Sequence, residues 1–271
     1  MRKIVLPFDG YLTAQTLLKD MRKVLSSQAV SDLIAFIKIN DGVHFMDSGG
    51  PKVFQSIHFE LANRDLPIGI FLDLKIFDVS ATMENVLKKY AAIFSPDILT
   101  VSASCSVDGI IKLRQILPNT KLAMVSVLTD ISESECISRF GKNPTEKITT
   151  DLLGIKHCYS KKLSENGNLK KLNPEPFDLI VCSPHEVTTL KSLFSQYEFI
   201  VPGIRDEWMK KADEHQKRIT GVKKALENGA TYVVMGAQIV KGNPEKNISS
   251  QKSCLLTRKE IELFLADKQT A

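Results

Sequence analysis

Residues 73–78 read Asp73-Leu74-Lys75-Ile76-Phe77-Asp78 and close the apolar run Ile68–Leu72. On a β-strand, side chains two apart share a face, so Asp73 and Lys75 are expected to point the same way. Opposite charges aimed into a fold carry a heavy desolvation cost unless they are paired or do chemistry. An ammonium fixed beside a reacting carbon stabilises negative charge developing there and can then supply a proton. Asp78 falls where the strand should give way to a helix beginning near Ser80 and running through Tyr90. Asp-x-Lys-x-x-Asp at the C-terminal end of a strand is therefore a candidate charged catalytic array.

The elements that must position this array alternate along the chain. Strands are expected at Lys3–Phe8, Leu33–Ile39, Ile68–Asp73, Ile98–Ala103, Lys121–Val127, Leu179–Cys182, Glu198–Val201 and Tyr232–Met235. Several are continuous apolar runs, as parallel strands buried on both faces require. Between them lie amphipathic stretches at Thr13–Leu25, Thr82–Phe94, Val107–Ile116, Pro184–Phe194 and Thr220–Asn228. Eight strand signals separated by helices predict an α/β fold, a (β/α)8 TIM barrel formed by the whole chain, 1–271, as a single domain. About 141–176 departs from the simple alternation and is expected as an insertion between strands five and six, with a helical patch at Thr145–Cys158.

A barrel builds its site from strand C-terminal ends. Asp9 follows the first strand, Lys38 lies near the end of the second, Asp73 and Lys75 end the third, and Asp78 comes just beyond. Taken singly, Asp9 and Asp78 also suit helix N-caps and Lys38 a solvated strand end; their convergence on one rim favours a site. At the far end of the chain, Pro202-Gly203-Ile204-Arg205 follows the seventh strand. Gln216-Lys217-Arg218 comes before the next helix, and Gly236 follows the eighth strand. Loops after strands seven and eight of a barrel often hold phosphate. Gly203 and Gly236 allow close backbone approach there, and Arg205 brings a planar cationic donor set.

Composition narrows the classes. The 271 residues are 43% hydrophobic and 25% charged, ordinary for a soluble globular protein. No apolar stretch approaches the ~20 residues that span a bilayer, and the N-terminus, broken by Pro7 and Asp9, reads as a first strand rather than a leader. The five cysteines are odd in number and without CxxC spacing, which fits a reduced, cytoplasmic protein. The scattered histidines offer no HxxxH or HExxH, so no metal site is expected. The net charge of +5 suits either nucleic acid or an anionic metabolite; no nucleic-acid-binding signature accompanies it, and most of the basic residues are expected to be solvated surface.

On these residues the chain resembles the orotidine 5′-phosphate decarboxylase family. Asp73-Leu74-Lys75-Ile76-Phe77-Asp78 with Thr82 resembles its DLK-x-x-D-x-x-x-T signature. Lys38, Leu99-Thr100-Val101, Val127-Leu128-Thr129, Val181-Cys182-Ser183-Pro184 and Pro202-Gly203-Ile204-Arg205 resemble family segments in the right order. The resemblance runs from Phe8-Asp9 to about Pro244. It implies cofactor-free decarboxylation of orotidine 5′-phosphate to uridine 5′-phosphate in pyrimidine biosynthesis. Lys75 would protonate the C6 carbanion, Asp73 would lie against the substrate carboxylate, and Lys38 and Asp78 would complete an alternating charge network. Asp9 would hold ribose hydroxyls, Thr129 would lie near the pyrimidine, and Arg205 and Gln216 would contact phosphate. The second Asp and the Thr come from a partner subunit in that family, so the resemblance implies a homodimer with shared sites.

Two positions depart from the family pattern. Gly236-Ala237-Gln238 lacks the arginine that usually follows the glycine and binds phosphate; Gln238 and Lys241 are the nearest side chains to take its place. Asp130 follows Thr129 where a serine is usual. Two other readings stay open: a superfamily relative acting on another phosphorylated substrate, and a catalytically silent nucleotide-binding barrel.

Overall fold

Strands that are apolar on both faces need cover on both, and here they obtain it by closing on themselves inside a ring of helices. The computed structural model describes residues 2–44, 49–209 and 220–270. In chain order the strands are β1 (Ile4–Pro7), β2 (Ile34–Ile39), β3 (Gly69–Ile76), β4 (Ile98–Ser102), β5 (Lys121–Val125), β6 (Leu179–Val181), β7 (Glu198–Val201) and β8 (Tyr232–Val234). Each pairs in parallel with the next, and β8 pairs with β1, giving the expected closed eight-stranded barrel. The helices are α1 (Ala14–Leu25), α2 (Gln28–Ser31), α3 (Gly50–Asn63), α4 (Ser80–Ala91), α5 (Val107–Ile116), α6 (Glu133–Phe140), α7 (Pro144–Glu165), α8 (Val187–Leu193), α9 (Val222–Glu227), α10 (Ala237–Val240) and α11 (Ser250–Thr270).

Alternation along the strands separates two cores. Val5, Phe71, Ile98, Ala123, Leu179 and Ile200 form one buried cluster, with Phe36 against it. Ile4, Leu6, Leu72, Leu99, Leu122 and Ile180, on the opposite strand faces, belong to the larger cluster beneath the helices. Two residues toward the C-terminal ends from Phe36, Phe71 and Ile98 stand Lys38, Asp73 and Thr100, all buried. The inward strand positions thus change from apolar to polar at the upper end of the barrel, where period-two alternation carries them onto the same face.

Two details differ from expectation. β3 continues past Asp73 to Ile76. Five helices, α2, α3, α6, α10 and α11, lie outside the stretches singled out from sequence. α3 opens with Pro51 in its first turn and buries Val53, Phe54, Ile57 and Leu61 on one face. Within 141–176, α7 buries Ile148, Leu152, Ile155 and Tyr159 and packs between α5 and α8. α7 is started by a capping box between Asn143 and Glu146, and with α6 before it two helices stand between β5 and β6, where the insertion was expected. No helix among the described residues is long and apolar enough to cross a membrane.

Candidate active site

Four of the expected residues meet in one chain of alternating charge over the ends of β1, β2 and β3. Lys38 Nζ lies 2.8 Å from Asp9 Oδ2 and 3.1 Å from Asp73 Oδ2. Lys75 Nζ lies 2.9 Å from the other Asp73 oxygen, Oδ1. The order is Asp9, Lys38, Asp73, Lys75. The inner pair is enclosed, with the Lys38 and Asp73 side chains only 10% and 9% exposed, whereas Lys75 is 37% exposed at the outer end. The ammonium suited to meet a substrate is thus the one that reaches solvent.

Burial and charge oppose each other at the centre. Burial pushes the Asp73 carboxyl up, but Lys38, Lys75 and the hydrogen bonds from Lys75 and Thr100 outweigh it and hold the carboxyl below its usual range. Burial likewise pulls Lys38 down, and the two carboxylates Asp73 and Asp9 outweigh it, so its ammonium is held more tightly than usual. Both groups are charged because each has the other.

Regular alternation is not what brings Lys75 to Asp73. Between Leu72 and Ile76, β3 advances four residues while β4 advances two, from Leu99 to Val101. In this bulge Lys75 adopts φ +45°, a left-handed conformation that a residue with a Cβ seldom takes. Side chains from β4 and from just beyond the end of β2 meet the groups the bulge exposes. Asn40 Nδ2 donates to the Asp73 carbonyl oxygen at 2.6 Å, and the Lys75 N–H donates to Thr100 Oγ1 at 2.8 Å. Thr100 in turn donates to Asp73 Oδ1 at 2.8 Å. Asn40 and Thr100 had no assigned role in the sequence. Thr100 was legible only as a member of the Leu99-Thr100-Val101 segment on the fourth strand.

The other expected residues lie apart from this chain. Asp78 is exposed and its Oδ1 accepts the N–H of Val79; Thr82, on the first turn of α4, is exposed as well. Thr129, Ser183, Pro202 and Gly203 line a cavity of about 580 Å³ over the ends of β5, β6 and β7, whose far wall includes Asn143 and Pro144 at the start of α7. Asp151 of α7 accepts from Ser126 at 2.6 Å, tying that helix to the end of β5. The charged chain and the cavity therefore occupy complementary parts of one rim. Gly203 has φ +77°, as a turn reserved for glycine requires, and Arg205 is exposed, its N–H donating to the Thr220 carbonyl. Gly236 caps the start of α10, packed so closely on Pro7 that an added Cβ would lie 3.1 Å from Pro7 Cγ. Gln216 lies outside the described residues.

Gln238 does not take the place of the absent arginine. It is buried, its Oε1 accepts the Asp206 N–H at 3.0 Å, and its Nε2 donates to Asp206 Oδ2 and Thr257 Oγ1. Asp206 also accepts the Val222 N–H at 2.8 Å, so this pair locks the loop after β7 to α9, α10 and α11. Burial pushes the Asp206 carboxyl up against the pull of those two donors. Ala237, by contrast, is exposed at the rim.

A profile of the orotidine 5′-phosphate decarboxylase / HUMPS family matches residues 21–250. An orotidine 5′-phosphate decarboxylase of Prochlorococcus marinus is 30% identical over 251 residues, covering 90% of this chain and 92% of that one. One from Lactococcus lactis is 30% identical over 214 residues, 75% of this chain and 79% of its own. The crystal structure of orotidine 5′-phosphate decarboxylase from Lactobacillus acidophilus superposes with a TM-score of 0.65 at 20% identity, covering 96% of this chain and 99% of that one. That last likeness is one of fold.

Proposed function

The chain belongs to the orotidine 5′-phosphate decarboxylase / HUMPS family, and from that membership we propose that it decarboxylates orotidine 5′-phosphate to uridine 5′-phosphate, with Lys75 as proton donor. The observation that carries this is the Asp9–Lys38–Asp73–Lys75 chain at the barrel rim, which offers an ammonium and a carboxylate 2.9 Å apart and fixed relative to one another.

The chemistry follows from that pair. The bond between C6 and the carboxylate breaks, its electron pair stays on C6, and carbon dioxide leaves. Lys75 Nζ stabilises the growing charge on C6 and then transfers a proton to it; the neutral amine regains a proton from solvent. Asp73 beside the substrate carboxylate disfavours the charged ground state more than the transition state, in which that charge is dispersing. Contacts to the distant ribose and phosphate offset the unfavourable approach. Asp9 serves the ribose hydroxyls, Thr129 the base, and Arg205, Gln216 and the backbone at Gly236 the phosphate.

The assembly in this reading is a homodimer in which Asp78 and Thr82 complete the partner's site. Its support is that Asp78 stands between Phe77 and Val79, 63% and 68% exposed, on a face where apolar surface invites cover. Five free cysteines and the absence of a membrane-crossing helix among the described residues support a cytoplasmic setting, with no nucleic-acid or membrane partner in the proposal.

The test is a decarboxylation assay with titration by uridine 5′-phosphate and 6-hydroxyuridine 5′-phosphate. Turnover with binding of both is expected, and Lys75→Ala should lower kcat by at least ~10³–10⁴ with the fold retained. Binding without turnover would favour a silent nucleotide-binding barrel, and no binding of either nucleotide would sink the orotidylate assignment.

A further inference from the structure

We infer that Thr100 is a positioning residue, a single hydroxyl that sets both the carboxylate of Asp73 and the backbone of Lys75. The inference rests on the decarboxylase reading for its kinetic consequence and on the fold alone for its structural one.

The bulge in β3 creates a specific need. It removes Lys75 from regular pairing with β4 and turns its backbone to φ +45°. A backbone N–H in such a place, beside a buried carboxylate, needs an acceptor. Thr100 is the β4 residue between the two that remain in register, Leu99 and Val101, and it is 1% exposed. Its Oγ1 receives the Lys75 N–H at 2.8 Å.

That contact settles which way the hydroxyl proton points. An amide N–H only donates, so Thr100 Oγ1 acts there as acceptor, and its one proton is free to go to Asp73 Oδ1, 2.8 Å away. The same Oδ1 takes Lys75 Nζ at 2.9 Å, while Oδ2 faces Lys38. Threonine's branched Cβ restricts χ1, so the hydroxyl is held in place by a stiff side chain on a buried strand. The resulting ring runs from the Asp73 carboxylate through Thr100 to the Lys75 backbone and returns through Lys75 Nζ. Thr100 is placed to act through Lys75 and Asp73, without touching substrate.

Valine at this site keeps the shape and loses the hydroxyl; serine keeps the hydroxyl. Thr100→Val is expected to lower kcat about 10- to 100-fold, as ångström-scale misplacement of a catalytic group does, with KM changed less than about threefold. Thr100→Ser should restore most of the loss. In a crystal structure of Thr100→Val, Lys75 should leave the left-handed region or its Nζ should separate from Asp73. Wild-type kcat in folded Thr100→Val, or an unmoved Lys75 in its structure, overturns the inference. A kcat loss that Thr100→Ser does not restore also overturns it, since a packing defect then explains the effect. Should Thr100→Val fail to fold, Thr100→Ala carries the same readouts. If the wild type does not decarboxylate orotidylate, the functional proposal falls, and the position of Lys75 in the variant structure still decides the role of Thr100.

Discussion

Asp73 and Lys38 stand inside the barrel because each neutralises the other's desolvation cost. Their opposite shifts define a pH window. The Asp73 carboxyl is held below its ordinary 3.8, so its contribution to stability is present above that value and is lost as pH falls through the lower folded-state value. The Lys38 ammonium is held above its ordinary 10.5, so its contribution is present below that value and is lost as pH rises through the higher one. The difference in unfolding free energy between wild type and Asp73→Asn should therefore be flat from about pH 5 to pH 9 and shrink as the solution becomes strongly acidic. Urea denaturation across pH measures it; a difference that grows toward low pH contradicts the pairing. A second residue of consequence is Ala237. It is exposed at the rim, whereas Gln238 is committed to Asp206 and Thr257. Ala237→Arg should lower KM for orotidylate by about tenfold or more, in line with ~1.5–3 kcal/mol for one charge-assisted contact, with kcat little altered. An unchanged KM would mean that phosphate does not reach this position.

At the scale of the elements, the lower ends of the strands share one device. Asp97, just before β4, accepts the N–H of Ile70 in β3, and Asp178, just before β6, accepts the N–H of Leu122 in β5. Thr231, before β8, does the same for Phe199 in β7. Each odd strand from β3 onward thus starts with its N–H held by the residue that introduces the next strand. Asp178 carries a further duty, because Arg114, 2% exposed, lies 2.8 Å from it. Asp97→Ala should cost about 1 kcal/mol, the net worth of a single hydrogen bond. Asp178→Ala should cost ~3–5 kcal/mol, since it strands a buried guanidinium. Comparison of the two urea midpoints checks the order; equal losses would mean that Arg114 finds another partner. Neither change lies on the catalytic rim, so kcat should hold in both.

For the molecule as a whole, the proposed dimer makes a quantitative demand. If each site joins Lys75 of one subunit to Asp78 of the other, Lys75→Ala and Asp78→Ala homodimers are both inactive. A heterodimer of the two keeps one intact site. Random reassortment of the inactive proteins should therefore restore roughly one quarter of wild-type activity, a consequence of two-fold symmetry alone. No recovery on mixing would place Asp78 outside the partner's site. Phe77→Glu, on the same exposed face, should shift the protein to a monomer in sedimentation and lower activity with it.

The sequence by itself determined the eight strands, the barrel and the residues that gather on its rim. Those properties follow from local periodicity and from the rule that barrel sites form at strand C-terminal ends. It also marked Asp9, Lys38, Asp73 and Lys75, because charge next to continuous apolar runs is costly enough to be noticed in one dimension. The tertiary structure alone decided how Lys75 reaches Asp73, through a bulge whose two extra residues exist only relative to the register of β4. It alone drew in Thr100 and Asn40, ordinary polar residues until strand pairing set them beside the bulge. It alone removed Gln238 from the rim, because its partners Asp206 and Thr257 lie 32 and 19 residues away along the chain. Periodicity reports which face a side chain takes; which group it meets there depends on non-local register, and that is where Lys75 acquired its unusual backbone and its fixed place beside Asp73.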